Sequence, residues 1–274
     1  MTLTERAGRY RALAVAAREL RSVARTWSVI ALGAVVFASV VGVVVAGSGA
    51  GGFVPLALDL LFAVEVLVPL FAFAAGYRTV LDDRASGELE AIRTYPLARA
   101  EYVLGAYLGR ALFVASVLVA TLVVAGIVGA TLAPGRTDVI AANEAADSAW
   151  LFVRFSVLVV GFGLTTLAVA VAVSAAARSV RQALAVVVAL AVAFLVGVDA
   201  GVVAGLASGL SPDATPILIA LSPASAFRGL VLDLVVGAVS GRDAGSALGG
   251  LVGLVGWFGG SLVVAVLTVW DERG

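Results

Sequence analysis

The sequence has no cysteine and no histidine, and its single methionine is Met1. All 18 basic residues are arginine, so lysine is absent as well. These gaps remove whole classes of chemistry. Thiol nucleophiles, histidine bases and lysine Schiff bases are excluded. So are zinc sites built of cysteine and histidine. Soft-metal sites, which want thiolate, thioether or imidazole ligands, have no donors to draw on. A Walker P-loop needs a lysine on the nucleotide phosphates, so the chain carries no such motif. Carboxylate chemistry is the enzymatic route left open.

Charge is also scarce. Only 13% of the 274 residues are charged and the formal net charge is zero, which gives no electrostatic footprint for nucleic acid. What fills the space is apolar: 62% of residues are hydrophobic and the mean hydropathy is +1.11. An ordinary soluble domain is about half apolar and about a quarter charged. The charges are bunched, and the stretches between them are long. Lipid offers the backbone no hydrogen bonds, so such stretches must be helices or strands of a closed barrel. Barrel strands alternate over about ten residues. These runs are longer and apolar all round, so an all-α, polytopic membrane protein is expected.

Six spans are read from the runs: Trp27–Ala46, Phe53–Val80 with Pro69 inside it, Leu104–Ala130, Trp150–Ala177, Ala183–Leu206 and Leu248–Trp270. A seventh apolar stretch, Ile217–Val239, is interrupted by Pro223, Arg228 and Asp233. It reads as a re-entrant or interfacial helical pair, since charges in lipid are costly. The first 25 residues are too charged for the start of a signal peptide. At about 100° per residue, Leu13, Ala16, Ala17, Leu20, Ala24 and Trp27 form one stripe, with Arg11, Arg18 and Arg25 opposite. That predicts an amphipathic elbow helix on the membrane surface, arginines toward phosphates. With the N-terminus in the cytoplasm, 14 arginines fall inside and only Arg136, Arg154, Arg228 and Arg242 outside. Both termini are then cytoplasmic. With no internal repeat, residues 1–274 read as a single transmembrane domain.

The most informative segment is Tyr77–Arg110, polar and charge-dense between two spans. Ser86 is the expected N-cap of a short helix, with Glu88 and Glu90 in its first turn. Leu89 and Ile92 share a face, and Pro96 ends this helix and starts the next, which carries Arg99. Tied to two spans, such an element suits contact with a partner. Leu89, Ile92 and Tyr95 are the expected apolar anchors, with Glu88, Glu90, Arg93 and Arg99 around them. Within the apolar stretches, Asp59, Glu65 and Asp199 form a candidate intramembrane polar site. Glu65 lies midway along its span, so it should be protonated or paired, with Arg110 and Arg154 the expected cations.

The run SGELEAIRTYPLARAEYVLGAYLG resembles the signature of type-2 ABC exporter permeases, at Ser86, Gly87, Leu89, Pro96, Arg99 and Gly105. Ala98 stands where that family usually has serine, and Ala106 where lysine is frequent. ARELRSVARTW is similar to the family's elbow helix at Arg18, Glu19, Leu20 and Arg25. LSPASAFRGLVL is similar to its extracellular motif at Pro223, Phe227 and Arg228, with Ser222 in place of asparagine. The resemblance implies a cell-membrane permease subunit that pairs with a second permease copy, most simply as a homodimer. Two copies of a separate ATPase subunit would bind from the cytoplasm, and no cofactor is implied. The last motif leans toward permeases of copper-enzyme maturation, such as that for nitrous oxide reductase, with an extracellular accessory protein as a further partner. The absence of soft ligands argues against copper itself crossing the chain. The alternative reading is a secondary transporter or channel, which lacks support from any inverted repeat. A membrane enzyme would have to use the acids Asp82, Asp83, Glu88 and Glu90.

Overall fold

The computed structural model describes residues 3–47, 51–132, 148–194, 222–237 and 247–270. Among them every regular element is helical. Five helices are long and apolar enough to cross a membrane: α2 (Trp27–Ala46), α3 (Phe53–Gly76), α6 (Arg99–Leu132), α7 (Ala149–Ala176) and α10 (Ala247–Thr268). The protein is therefore a multi-pass membrane protein of the all-helical class. The shorter apolar helix α8 (Val180–Val192) starts three residues before the expected fifth span. Residues 195–206 of that expected span, Asp199 among them, lie outside the described residues.

Helices α3 and α7 form the centre. They pack on each other, and their apolar windows are the most buried of the five. At their crossing Gly76 lies against Ala170 and Leu167, where a Cβ would stand 3.0 Å from Leu167 Cδ1. Helix α10 packs on the far side of α7, and α2 on α3 and α6. Apolar all round, these helices gain little from hydrophobic segregation within lipid and associate through close packing.

Three further helices, α1 and two short ones, sit at one end of this bundle. Helix α1 (Leu3–Val23) packs along the first half of α6. Helix α4 (Thr79–Ala85) follows α3 after a two-residue break, and α5 (Glu88–Thr94) follows α4. Within the expected second span, to Val80, the helix breaks after Gly76, and α4 carries the helical run on to Ala85. The cap of α5 also differs from the sequence reading. Gly87, at φ +75°, occupies the N-cap, and Ser86 is the last link of α4, its hydroxyl donating to the Asp83 carbonyl. A left-handed φ is cheap only for glycine, so the chain reverses at Gly87. Tyr95 is extended before Pro96, as sterics there require. Helix α6 then starts at Arg99, five residues before the expected span. Its Glu101 side chain accepts from the Ala98 N–H at 3.0 Å. That is one half of a capping box, retained although Ala98 lacks the hydroxyl for the other half.

Helix α9 (Pro223–Val231) continues into a π-helical turn, Leu232–Val236. The described part of the expected helical pair, residues 222–237, is one helix with this π turn, and the rest of the stretch lies outside the described residues. It packs against α7 and α10, with Ala226 and Leu230 touching Gly250 near the start of α10. The start of α10 is opposite the end carrying α4 and α5, so α9 fills the other end of the bundle.

Candidate functional site

Helix α1 meets α6 through Ala12, Val15, Ala16 and Glu19, a face that shares only Ala16 with the apolar stripe and is centred about 90° from it. Gly105 and Gly109 make this approach feasible. A Cβ on Gly105 would lie 2.6 Å from the Ala12 carbonyl, and one on Gly109 would lie 2.8 Å from Glu19 Cβ. Leu13 and Trp27 of the stripe stay exposed on the outside of the bundle.

The turn of α1 carries its charges inward. Glu19 is 2% exposed and Arg110 of α6 is 8% exposed. Arg110 Nε and Nη2 both lie 2.9 Å from Glu19 Oε2, and Nη1 donates to the Ala75 carbonyl of α3. Arg18 donates to Glu19 Oε1 at 3.0 Å, to Asp83 Oδ1 at 2.6 Å and to Glu88 Oε2 at 2.8 Å. Tyr102 Oη donates to Asp83 Oδ2 at 2.6 Å. Arg11, expected on lipid phosphates, donates to the Pro96 carbonyl. Five elements, α1, α3, α4, α5 and α6, are thus joined by one charged network. Burial opposes the charge on Arg18, but hydrogen bonds to Glu19 and the fields of Asp83 and Glu19 outweigh it. Its pKa is raised above the ordinary arginine value.

A second tie runs from α4 to the far spans. Arg84 donates to the Ala177 carbonyl at 2.8 Å, the Ala175 carbonyl at 3.2 Å and the Val269 carbonyl at 3.3 Å. These oxygens lie at the C-terminal ends of α7 and α10, where carbonyls have no partner within the helix and the dipole is negative. The buried Ser174 hydroxyl returns the favour from α7, accepting from the Val80 and Leu81 N–H groups at 3.0 and 3.3 Å. These are first-turn donors of α4 with no helical partner. Arg99 lies 5.4 Å from the Trp270 ring centroid, a cation–π contact joining the start of α6 to the end of α10.

The structure divides the expected contact residues of α5 in two. Leu89 is 5% exposed and Ile92 packs partly against the core, so these anchors already face the chain's own interior. Glu88 is held by Arg18. Tyr95, 70% exposed, points outward together with Glu90, Arg93, Pro96 and Arg99.

Of the three intramembrane acids, Asp199 lies outside the described residues, and Asp59 and Glu65 have separate surroundings. Asp59 lies exposed beside Gly47, near the end of α2. Glu65 is buried and paired, but with neither of the expected cations. Arg110 is taken by Glu19, and Arg154 donates to the Leu234 carbonyl. The partner is Arg228 of α9, whose Nη2 donates to Glu65 Oε1 at 2.6 Å and whose Nε spans both oxygens at 3.1 and 3.2 Å. Glu65 and Arg228 are 163 residues apart in sequence, which hid the pairing. The other motif residues of α9 support it. Pro223 sits at the first helical position behind Ser222, whose hydroxyl caps the Ala224 N–H at 3.2 Å. Phe227 stacks on Phe162 of α7, centroids 4.7 Å apart. Pro69 withholds the N–H that would bond the Glu65 carbonyl in a regular helix.

Sequence reading missed Arg84, Ser174 and Tyr102 as members of these networks, and it placed Arg18 on lipid. One signal was available. Glu19 is the only acid between Glu5 and Asp59, and a lone carboxylate among arginines marks a pairing position.

No curated protein matches the chain. The family model described as ABC-2 family transporter protein matches residues 54–270, from the start of α3 to the end of α10. That span holds both networks except for α1 and contains the Glu65–Arg228 pair, and the protein belongs to the ABC-2 transporter family as a membrane permease component.

Proposed function

We propose that this permease is driven by a separate ATPase subunit that docks on the exposed side of α5, and that it works as an exporter in a homodimer. The single observation that supports this reading most is the bracing of α5. A loop in solvent needs no ties, whereas α5 buries Leu89, bonds Arg18 of α1 through Glu88 and packs on α4, which Asp83 and Arg84 tie in turn to α1, α6, α7 and α10. A push on α5 would therefore reach α6, α7 and α10 without being absorbed locally. The chain has no lysine for a Walker P-loop, which supports a nucleotide site outside this sequence. The arginine distribution puts α1, α4 and α5, and with them both termini, in the cytoplasm of a cell-membrane protein.

The docking surface then centres on Tyr95, with Glu90, Arg93 and Arg99 around it, in place of Leu89 and Ile92. A large aromatic standing free beside charges is the usual composition of an interface anchor. The test is co-purification of tagged permease with the ATPase of the same transporter. Wild type should retain the ATPase, and Tyr95→Asp should lose it while remaining folded. Full retention by Tyr95→Asp, with ATP-driven transport intact, would overturn the assignment.

A further inference from the structure

Between α7, α8 and α10 runs an open cleft of about 720 Å³. Its walls are nearly all apolar, among them Val169, Val173, Val186, Val252 and Trp257. Its floor is the glycine face of α10. A Cβ added at Gly256 or Gly260 would meet nothing within 4 Å, so the floor is bare rather than tightly packed. Gln182, near one mouth, holds the Arg178 N–H through its side-chain oxygen at 2.9 Å. Arg178 and Arg181 adjoin the lining residues Ala177 and Gln182 in the chain, both are exposed, and neither guanidinium has a hydrogen bond or ion pair among the described residues. Most arginines at this end are engaged, among them Arg11, Arg18, Arg78, Arg84 and Arg110, while Arg21 and Arg25 of the α1 end are exposed like Arg178 and Arg181 but lie away from the cleft lining.

We propose that this cleft is a binding site for an anionic phospholipid, an acyl chain lying along the glycine floor and the phosphate at Arg178 and Arg181. The charge pattern decides for this occupant. An apolar groove that runs along α10 from Val252 to Val264, with two exposed cations next to its lining at one end, matches an amphiphile with one anionic end. A second copy of the chain would use the glycine floor but leave the arginines without a purpose. Guanidinium suits phosphate by its planar set of donors. The lipid would fill the gap between α8 and the bundle and set how far α8 can move. This proposal does not depend on the ATPase reading.

The experiment is native mass spectrometry of the purified full chain from nanodiscs of phosphatidylcholine doped with phosphatidylglycerol. Wild type should retain phosphatidylglycerol preferentially. Each basic residue at an anionic leaflet gives about a fivefold preference, so Arg178→Ala with Arg181→Ala should cut that preference about thirtyfold. Both sites are exposed, so this variant should fold, and an unchanged thermal transition in phosphatidylcholine alone would show it. Gly256→Leu, which fills the floor, should abolish retention of either lipid. Because the chain has no cysteine, Gly256→Cys reports a rival occupant directly. Efficient disulfide cross-linking between copies in the membrane would make the cleft a helix–helix interface and overturn the proposal. Unchanged retention in the double arginine variant would overturn it equally.

Discussion

Replacing Glu19 by glutamine tests whether the buried network holds α1 to the spans. The substitution keeps size and shape but removes the charge facing Arg110. In the wild type, two Arg110 nitrogens lie 2.9 Å from one Glu19 oxygen, in a site where both residues are under a tenth exposed. Afterwards the guanidinium keeps only the Ala75 carbonyl as a strong acceptor. Breaking one side of a buried ion pair leaves a desolvated charge and costs about 3–5 kcal/mol. The glutamine oxygen can still accept one bond, so a loss of about 3 kcal/mol is expected. Removing both charges should cost far less, because apolar replacement of a buried pair is often neutral or better. Glu19→Leu with Arg110→Met should therefore recover most of the loss. Arg18 stays charged in that variant through Asp83 and Glu88. The assay is reversible denaturation in mild detergent, followed by the fluorescence of the four tryptophans, as a double-mutant cycle. A loss under about 1 kcal/mol for Glu19→Gln, or a double variant no better than the sum of the singles, refutes the reasoning.

Further outcomes separate the inner and outer sides of each element. Leu89→Ala should cost about 2–5 kcal/mol in stability, whereas Tyr95→Ala should stay within about 0.5 kcal/mol and weaken ATPase co-purification. Equal stability effects would mean that α5 is rotated from the orientation described. Arg84→Ala should cost about 1–3 kcal/mol by orphaning carbonyls, with faster amide exchange in the last turns of α7 and α10; unchanged exchange there removes Arg84 as a tie. Glu65→Gln should be milder than Glu19→Gln, since Arg228 is about a third exposed and partly solvated. Glu65→Arg combined with Arg228→Glu should recover at least part of the stability lost by either alone, and a thermal-shift series without recovery argues against a direct pair.

The helical class and the positions of α2, α3, α6, α7 and α10 were legible because lipid permits so few structures. Runs of twenty apolar residues have one inexpensive conformation there. The short helix after Gly87 was legible too, because Pro96 and the first-turn glutamates mark its ends. Three things were not. The face of α1 that packs is chosen by the notch that Gly105 and Gly109 open in α6, and apolar periodicity on α1 alone points to Leu13 and Leu20 instead. The inward turn of Leu89 and Ile92 depends on where α4 places α5. The partner of Glu65 comes from a helix 163 residues away, and only the folded bundle shows that Arg110 is already occupied.

The contact between Arg84 and the Val269 carbonyl has a consequence in time. The two residues are 185 positions apart, so the arginine is made long before its last acceptor. At about 5–20 residues per second, the interval during synthesis is about 10–40 s. Throughout it, the guanidinium sits at the membrane surface with the end of α10 not yet there to receive it. A truncated product lacking the last span would never close this gap and would leave α4 and α5 loosely held. The same bond that braces the finished permease thus distinguishes completed chains from incomplete ones, so quality control could act on chains in which Arg84 is still waiting.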